Sequence, residues 1–364
     1  MSFTAVDYRS MSRALQLAER GRWTTDPNPR VGCVITRDCE VVGEGWHERP
    51  GLPHAEVLAL EAAGEAARGA TAYVSLEPCA HHGHTGPCCE ALAKAGVNRV
   101  VAAVQDPNPQ VAGQGFKYLR EAGIRAECGL LSGEAERLNR GFFSRMQRGR
   151  PWVTIKMAAS LDGQTAMASG ESRWVTGESA RRDVHRKRAE VSAILTGAGT
   201  VLTDDPRLTA RLDGVSRQPL RVVMDSMLRT PPDARLLAGD GGVRIYAGER
   251  SGAGKALEQA GATVVKLDGD RPQPEAVLAS LAEQEACNEV LVEAGPELAG
   301  AFLQAGVVDE ILLYQAPHLM GDAGRGMFHL PGLDRMKDRM DLIIRDIRRV
   351  GEDIRLTLQP SARG

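Results

Sequence analysis

The stretch SLEPCAHHGHTGPCCEAL (75–92) holds Cys79, Cys88 and Cys89 together with His81, His82 and His84. Upstream, His54-Ala55-Glu56 opens the helically patterned segment HAEVLALEAAGEAA (54–67). Imidazole and thiolate are the donors that zinc takes in a tetrahedral shell. His54, Cys79 and either Cys88 or Cys89 would supply three of them and leave the fourth position for water. Zinc lowers the pKa of such a water toward neutrality and so makes a nucleophile. Glu56 is then a spare carboxylate beside the metal. It can take the water's proton and hand it to a ring nitrogen and a leaving amine.

The pattern of zinc base deaminases is H-x-E followed by P-C-x-x-C, with the glutamate as acid/base and not as ligand. Here the eight residues AHHGHTGP separate Cys79 from Cys88. The insertion reads as a longer loop, and its histidines are not needed as ligands. His81, His82 and His84 either line a pocket or supply loop polarity. Cys88 and Cys89 point differently from a helix start, where the local dipole favours thiolate, so only one of them can close the tetrahedron. A structural clip on His54, Cys79, Cys88 and Cys89 is the competing reading. It leaves Glu56 without a role.

Placing these groups takes a layered α/β framework. The first 150 residues alternate strand and helix signals. VGCVITRDCEVVGEGW (31–46) predicts a hairpin turning near Arg37-Asp38, ATAYVSL (70–76) and RVVAAV (99–104) predict strands, and CCEALAKAG (88–96) and GFKYLREAG (115–123) predict helices. The N-terminal segment has no secretory apolar core. It predicts an amphipathic helix with Tyr8, Met11, Leu15 and Ala18 on one stripe. DPNPRVG from Asp26 and DPNPQVAG from Asp106 echo each other, and both read as turns. The charged joint RMQRGRP (145–151) separates domains expected at 1–148 and 149–364. Beyond it WVTIKMA, SAILTG, LRVVMD, VRIYAG, ATVVKL, NEVLVEAG and EILLYQA predict a second α/β layer. Two closing strands around Gly351-Glu352 predict a hairpin on a mostly parallel sheet.

The second half carries no G-x-G-x-x-G, so the common dinucleotide fingerprint is absent. Two glycine-bearing strand-to-helix junctions stand in its place, LTGAGTVLTDD (195–205) and VLVEAGPELAGAF (290–302). In the second, Gly295 precedes Pro296 at a first helical turn, an arrangement that aims backbone N–H groups at phosphate. Asp204, Asp205, Arg207 and Arg211 crowd one loop, and HRKRAE (185–190) puts Arg186 and Arg188 on a helix. Arg186 and Lys187 read as a solvated face.

A chain of 364 residues exceeds one ordinary core and predicts two domains. Its net charge of −2 offers no field for a nucleic-acid backbone, so no nucleic-acid partner is expected. No apolar run reaches the length of a membrane span. A cytoplasmic location is expected, where seven cysteines stay reduced and serve metal or catalysis.

TTDPNPRVGCVI, HAEVLAL, SLEPCAHHGHTGPCCEAL and AVQDPNPQVAG together resemble the bifunctional riboflavin-biosynthesis deaminase–reductase family. IKMAASLDGQTAMASGESRWVTG, AILTGAGTVLTDDPRLTAR and LVEAGPELAGAFLQAGVVDE extend the likeness to nearly the whole chain. P-C-x8-C is that family's own spacing. The resemblance implies an α/β protein, with a cytidine-deaminase-like three-layer N-terminal domain and a dihydrofolate-reductase-like C-terminal domain. It implies a single zinc on His54, Cys79 and Cys88, with Cys89 a helix residue and Glu56 catalytic. The implied substrate is a phosphorylated pyrimidine, 2,5-diamino-6-(5-phosphoribosylamino)pyrimidin-4-one. The N-terminal domain would hydrolyse its 2-amino group, and the C-terminal domain would use NADPH to reduce ribosyl to ribityl. Implied cofactor contacts are Ala158, Trp174, Thr200, Asp204, Ser226, Gly295, Pro296, Glu297, Leu298, Ala299, Gly300 and Ala301. Implied substrate contacts are Ser172, Arg188, Leu208, Arg211 and Glu293. Arg188 and Arg211 suit a phosphate, and Glu293 suits ribose hydroxyls or the pyrimidine. Lys156, read at the end of a strand, either faces the sugar or is an edge lysine. Homo-oligomerisation is expected.

Two rivals stand beside this. One is a nucleoside or RNA-base zinc deaminase whose second domain is not a reductase. The other is a structural zinc module joined to a nucleotide sensor.

Overall fold

The computed structural model describes residues 3–80, 86–109 and 111–361. Backbone packing divides the chain into Met1–Gly149 and Arg150–Gly364.

The first unit runs α1 (Ala5–Ala18), β1 (Gly32–Arg37), β2 (Glu40–Trp46), α2 (Ala55–Ala63), β3 (Thr71–Val74), α3 (Cys88–Lys94), β4 (Arg99–Ala102), α4 (Gln114–Glu121), β5 (Arg125–Cys128), α5 (Ser132–Leu138) and α6 (Arg140–Arg148). Its sheet has the order β2-β1-β3-β4-β5, antiparallel across the first three strands and parallel across the last three. Strand alternation sorts the side chains into two cores. Val34, Tyr73 and Val101 pack with Met11, Leu15, Phe142 and Phe143 on one face. Cys33, Ile35, Ala72 and Val100 pack with Ala55, Ala59, Leu92 and Leu119 on the other. Three layers result.

Two local expectations shift. The hairpin turns at Asp38-Cys39, with φ of 51° and 67°, one residue later than the sequence predicts. Two successive positive φ values match the twist of the flanking strands. Tyr8 leaves the expected stripe and is 48% exposed, while Asp7 is buried. Asp7 closes a capping box with Thr4 and also accepts from the Tyr73 hydroxyl at 2.7 Å and Arg99 Nη1 at 2.6 Å. The helix turns so that this carboxylate meets partners far away in sequence, which periodicity cannot register.

The second unit runs β6 (Trp152–Ser160), β7 (Gln164–Ala166), α7 (Glu178–Glu190), β8 (Ala193–Gly197), α8 (Ala198–Asp204), β9 (Leu220–Met224), β10 (Val243–Gly248), α9 (Lys255–Gln259), β11 (Thr263–Leu267), α10 (Pro274–Gln284), β12 (Glu289–Val292), α11 (Pro296–Gln304), β13 (Glu310–Ala316), β14 (Arg325–Gly326), β15 (Leu342–Val350) and β16 (Asp353–Pro360). Its main sheet has the order β11-β10-β9-β8-β12-β6-β13-β16-β15. It is parallel from β11 to β13, and the closing β15–β16 hairpin adds two antiparallel strands. Val277, Leu281 and Phe302 of α10 and α11 cover one face. Val184 of α7, Val201 of α8 and Leu257 of α9 cover the other. Ligand sites in such sheets lie beyond the carboxyl ends of the parallel strands.

Candidate active sites

His54 is the N-cap of α2, and Cys88 is the first residue of α3. Glycines of β2 bring α2 hard against the hairpin: a Cβ on Gly43 or Gly45 would fall 2.2 or 2.3 Å from the carbonyl oxygen of Ala59 or Ala55. The start of α2 is thereby fixed beside the segment that follows β3. His54 Nδ1 lies 3.2 Å from Cys88 Sγ and 3.5 Å from Cys79 Sγ, and the three ligand atoms all fall within 4.8 Å of one another. One nitrogen and two sulfurs at this spacing fit a zinc ion. Cys89 stays outside the cluster, in the apolar layer with Leu92 and Val100. Burial pushes its thiol up to about 11.

The lowered Cys79 thiol suits the same ion. Hydrogen bonding from the Cys88 thiol, helped by His54 and by the Cys88 backbone N–H at 3.4 Å, pulls Cys79 down to about 4. Cys88 is pushed up by its bond to Cys79 and by burial. Glu56 is buried, and burial together with the Cys79 charge raises its carboxyl to about 7. A carboxyl poised there both takes and gives a proton near neutrality.

Both echoing DPNP segments are tied to this region. His47 is buried, burial lowers its pKa, and its ring meets His54 edge-on at 5.4 Å. Its Nδ1 lies 3.2 Å from the Pro53 carbonyl oxygen, and its Nε2 lies 3.1 Å from the Asn28 amide. Glu77, two residues before Cys79, accepts the backbone N–H groups of Asp106, Gly113 and Phe116 at 3.2, 3.0 and 3.3 Å. The segments are therefore more than turns. His81, His82 and His84 lie outside the described residues.

In the second unit a cleft of about 1510 Å³ opens where β6, β8 and β12 end. It brings together Ala158, Ser172, Trp174, Thr200, Asp204, Leu208, Arg211 and Gly295 to Leu298. It also holds Arg188 and Glu293, locked in a bidentate pair at 2.6 and 2.8 Å. Lys156 corrects its expected place at a strand end. It sits mid-strand, opposite Leu312 in the β6–β13 register, and lines the cleft. Burial lowers its pKa, and Glu293 partly offsets this. Trp174 presents an indole that is 70% exposed, with the Arg181 guanidinium 4.6 Å from its centroid.

Four expected cofactor contacts do not line the cleft. Ser226 follows β9, and its carbonyl accepts Gly248 N–H at 3.1 Å, tying it to the end of β10. Ala299, Gly300 and Ala301 lie a turn too deep. Ala299 N–H already bonds the Gly295 carbonyl at 3.1 Å, so the groups left at the helix start belong to Glu297 and Leu298. Gly300 faces inward, where a Cβ would meet the His329 carbonyl oxygen at 1.9 Å.

The chain matches known proteins over nearly its whole length. The RibD C-terminal domain matches residues 151–356, and the cytidine and deoxycytidylate deaminase zinc-binding region matches residues 5–104. Riboflavin biosynthesis protein RibD of Escherichia coli K12 is 50% identical over 360 residues, covering 96% of this chain and 98% of that protein. The chain belongs to the RibD family. The Haemophilus influenzae RibD is 44% identical over 375 residues, covering 99% of each chain. Acinetobacter baumannii RibD superposes with a TM-score of 0.92 at 44% identity, covering 98% of this chain and 99% of that one. A Thermotoga maritima diaminohydroxyphosphoribosylaminopyrimidine deaminase/5-amino-6-(5-phosphoribosylamino)uracil reductase superposes at 0.85 with 32% identity and the same coverage. As a RibD-family chain it joins a cytidine-deaminase-like unit to a dihydrofolate-reductase-like unit and serves riboflavin biosynthesis as deaminase and reductase.

Sequence reasoning missed His47, Glu77, His185 and Arg235 as residues that build these sites. His185 and Arg235 both line the cleft. None of the four carries a spacing signal of its own, even Glu77 and His185 inside stretches already singled out, so none was findable without the fold.

Proposed function

We propose that the first unit removes the 2-amino group of 2,5-diamino-6-(5-phosphoribosylamino)pyrimidin-4-one as ammonia, and that the second reduces the ribosyl unit to ribityl with NADPH. The observation that carries this is the convergence of His54, Cys79 and Cys88 on one point beside the buried Glu56, whose carboxyl burial raises to about 7. Bound zinc supplies Lewis-acid activation of water. His54, Cys79 and Cys88 would hold it. Glu56 takes the first proton of the attacking water and delivers it to the ring nitrogen, then takes the second from the newly added hydroxyl and delivers it to the amine, which departs as ammonia. Burial keeps this shuttle dry and its carboxyl near neutrality.

Bound NADPH supplies the hydride. The Glu297 and Leu298 N–H groups at the start of α11 suit its pyrophosphate, and the exposed Trp174 indole suits a ring of the cofactor. Lys156 and Glu293 face the sugar side, where an ammonium and a carboxylate can orient ribose hydroxyls. The rival with an unrelated second domain leaves the match over 151–356 without a cause. Among the described residues no helix is long and apolar enough to cross a membrane. A cytoplasmic location belongs to this proposal. So does self-association, which the exposed Ile343, Ile344 and Ile347 of the edge strand β15 support.

The test is to incubate the purified chain with that substrate, with and without NADPH, following ammonia and NADPH absorbance. Ammonia without NADPH, then NADPH oxidation on its addition, is expected. Glu56→Gln should lose ammonia release by about 10²–10⁴-fold while keeping its zinc. An active Glu56→Gln enzyme sinks the proton-shuttle assignment, and a zinc-loaded chain giving neither signal sinks the substrate.

A further inference from the structure

The match to the deaminase zinc-binding region stops at residue 104, yet the first unit continues to Gly149. Its last two helices, α5 and α6, supply none of His54, Glu56, Cys79 and Cys88. They meet at Asn139, a side chain only 4% exposed. Its Oδ1 accepts the Arg30 backbone N–H at 2.8 Å, and its Nδ2 donates to the Arg30 carbonyl at 2.9 Å. A primary amide offers one acceptor and one donor side by side, so it can serve both backbone groups of a residue as a neighbouring strand would. The Asn139 backbone is engaged within the helices: its N–H bonds the Ala135 carbonyl at 3.1 Å, and its carbonyl accepts the Phe143 N–H at 3.0 Å.

The same two helices reach the first DPNP segment twice more. Arg30 Nη1 donates to the Leu138 carbonyl at 2.7 Å, and Arg145 Nη2 donates to the Pro27 carbonyl at 3.3 Å. Phe142 and Phe143 of α6 lie in the core with Val34 and Tyr73, and Val31 and Trp46 pack against that cluster. From this segment the path to a zinc-site residue is short. The Val31 carbonyl accepts the His47 backbone N–H at 2.9 Å, and the Asn28 amide meets His47 Nε2 at 3.1 Å. The other ring nitrogen, Nδ1, faces the carbonyl of Pro53 at 3.2 Å, so Nδ1 donates and Nε2 accepts. The Pro53 carbonyl belongs to the peptide that leads into His54, the N-cap of α2. Every link from Asn139 to His54 is a hydrogen bond or a stretch of a few residues. Groups that orient a ligand's neighbours fix where its donor nitrogen points, and they weigh on metal affinity and on rate.

We infer that α5 and α6 latch the first DPNP segment onto the deaminase site, and that Asn139 is a positioning residue acting on His54 through Arg30, Asn28 and His47. Only the effect on ammonia release rests on the proposed deaminase substrate.

The experiment uses the full chain carrying Asn139→Leu, which keeps the bulk of the side chain and loses both bonds. Asn139→Asp keeps the acceptor, loses the donor, and is the milder variant. Leu130→Ala is the control for plain destabilisation: Leu130 is buried in the same core, just after β5, at the sheet edge opposite β2. Hydrogen exchange reads the Arg30 amide directly, and in Asn139→Leu it should exchange on the order of tenfold faster. Zinc release to a colorimetric chelator should quicken, and ammonia release should slow on the order of tenfold. NADPH oxidation by the same molecules on deaminated substrate should stay at the wild-type rate. Asn139→Asp should move each reading in the same direction by less, and it carries the test if Asn139→Leu does not fold. Wild-type exchange at Arg30 overturns the latch. Faster exchange with unchanged zinc and ammonia release overturns the positioning role. So does a Leu130→Ala chain that loses as much ammonia release per degree of lost melting temperature. Faster exchange and zinc release in Asn139→Leu, with a wild type that frees no ammonia, keep the latch and sink the substrate.

Discussion

Glu293→Gln removes one charge from the second unit's cleft and leaves the side-chain shape unchanged. Burial by itself would raise the Glu293 carboxyl, but Arg188, with help from Lys156, pulls it from an ordinary 4.5 to about 2. At about 1.4 kcal/mol per pH unit, that gap is worth about 3 kcal/mol of stability. Removing one partner of a buried pair gives the same order, about 3–5 kcal/mol, because the survivor is left uncompensated. Glu293→Gln should therefore cost the second unit about 3 kcal/mol at pH 7. The sign follows from a depressed carboxyl: the stabilisation is complete above about 4.5 and is lost as pH falls toward 2. The gap between wild type and variant should thus narrow over that window. The assay is urea unfolding of the full chain at several pH values, read by hydrogen exchange of peptides covering α7 and β12. A difference below about 1 kcal/mol at pH 7, or one that ignores pH down to 3, would show a solvated pair and refute the reasoning.

Cys88→Ser should drop zinc well below one atom per chain by elemental analysis, whereas Cys89→Ser should retain it. The reverse would move the ligand to the neighbouring residue. Gly300→Ala places a methyl 1.9 Å from the His329 carbonyl oxygen, a backbone atom, and should lower the stability of the second unit by about 1–3 kcal/mol. Gly295→Ala, with nothing within 4 Å of the added methyl, is its control. Equal thermal melts for the two would mean that the packing around α11 relaxes freely.

Chemistry carried by short spacing was readable along the chain. His54-x-Glu56 and Pro78-Cys79 each put their groups at an element end, and element ends are set by local rules of capping and turn formation. Strand alternation at Cys33, Val34 and Ile35 and the Gly295-Pro296 helix start were likewise local. Asp7 was not, because its burial is decided by Tyr73 and Arg99, which lie on β3 and β4.

The same division holds for function. The sequence by itself determined the kinds of donor offered to zinc, the spare glutamate two residues from His54 and the alternating order of strands and helices, since each is carried by a local pattern. Only the tertiary structure decided that Cys88 and not Cys89 faces His54, that Arg188 is committed to Glu293, and that Arg235 stands beside Arg207 and Arg211. Those outcomes depend on which helix face is buried and on which charges meet across the sheet. Pairings of that kind join residues separated by up to about a hundred positions, and no local pattern encodes them.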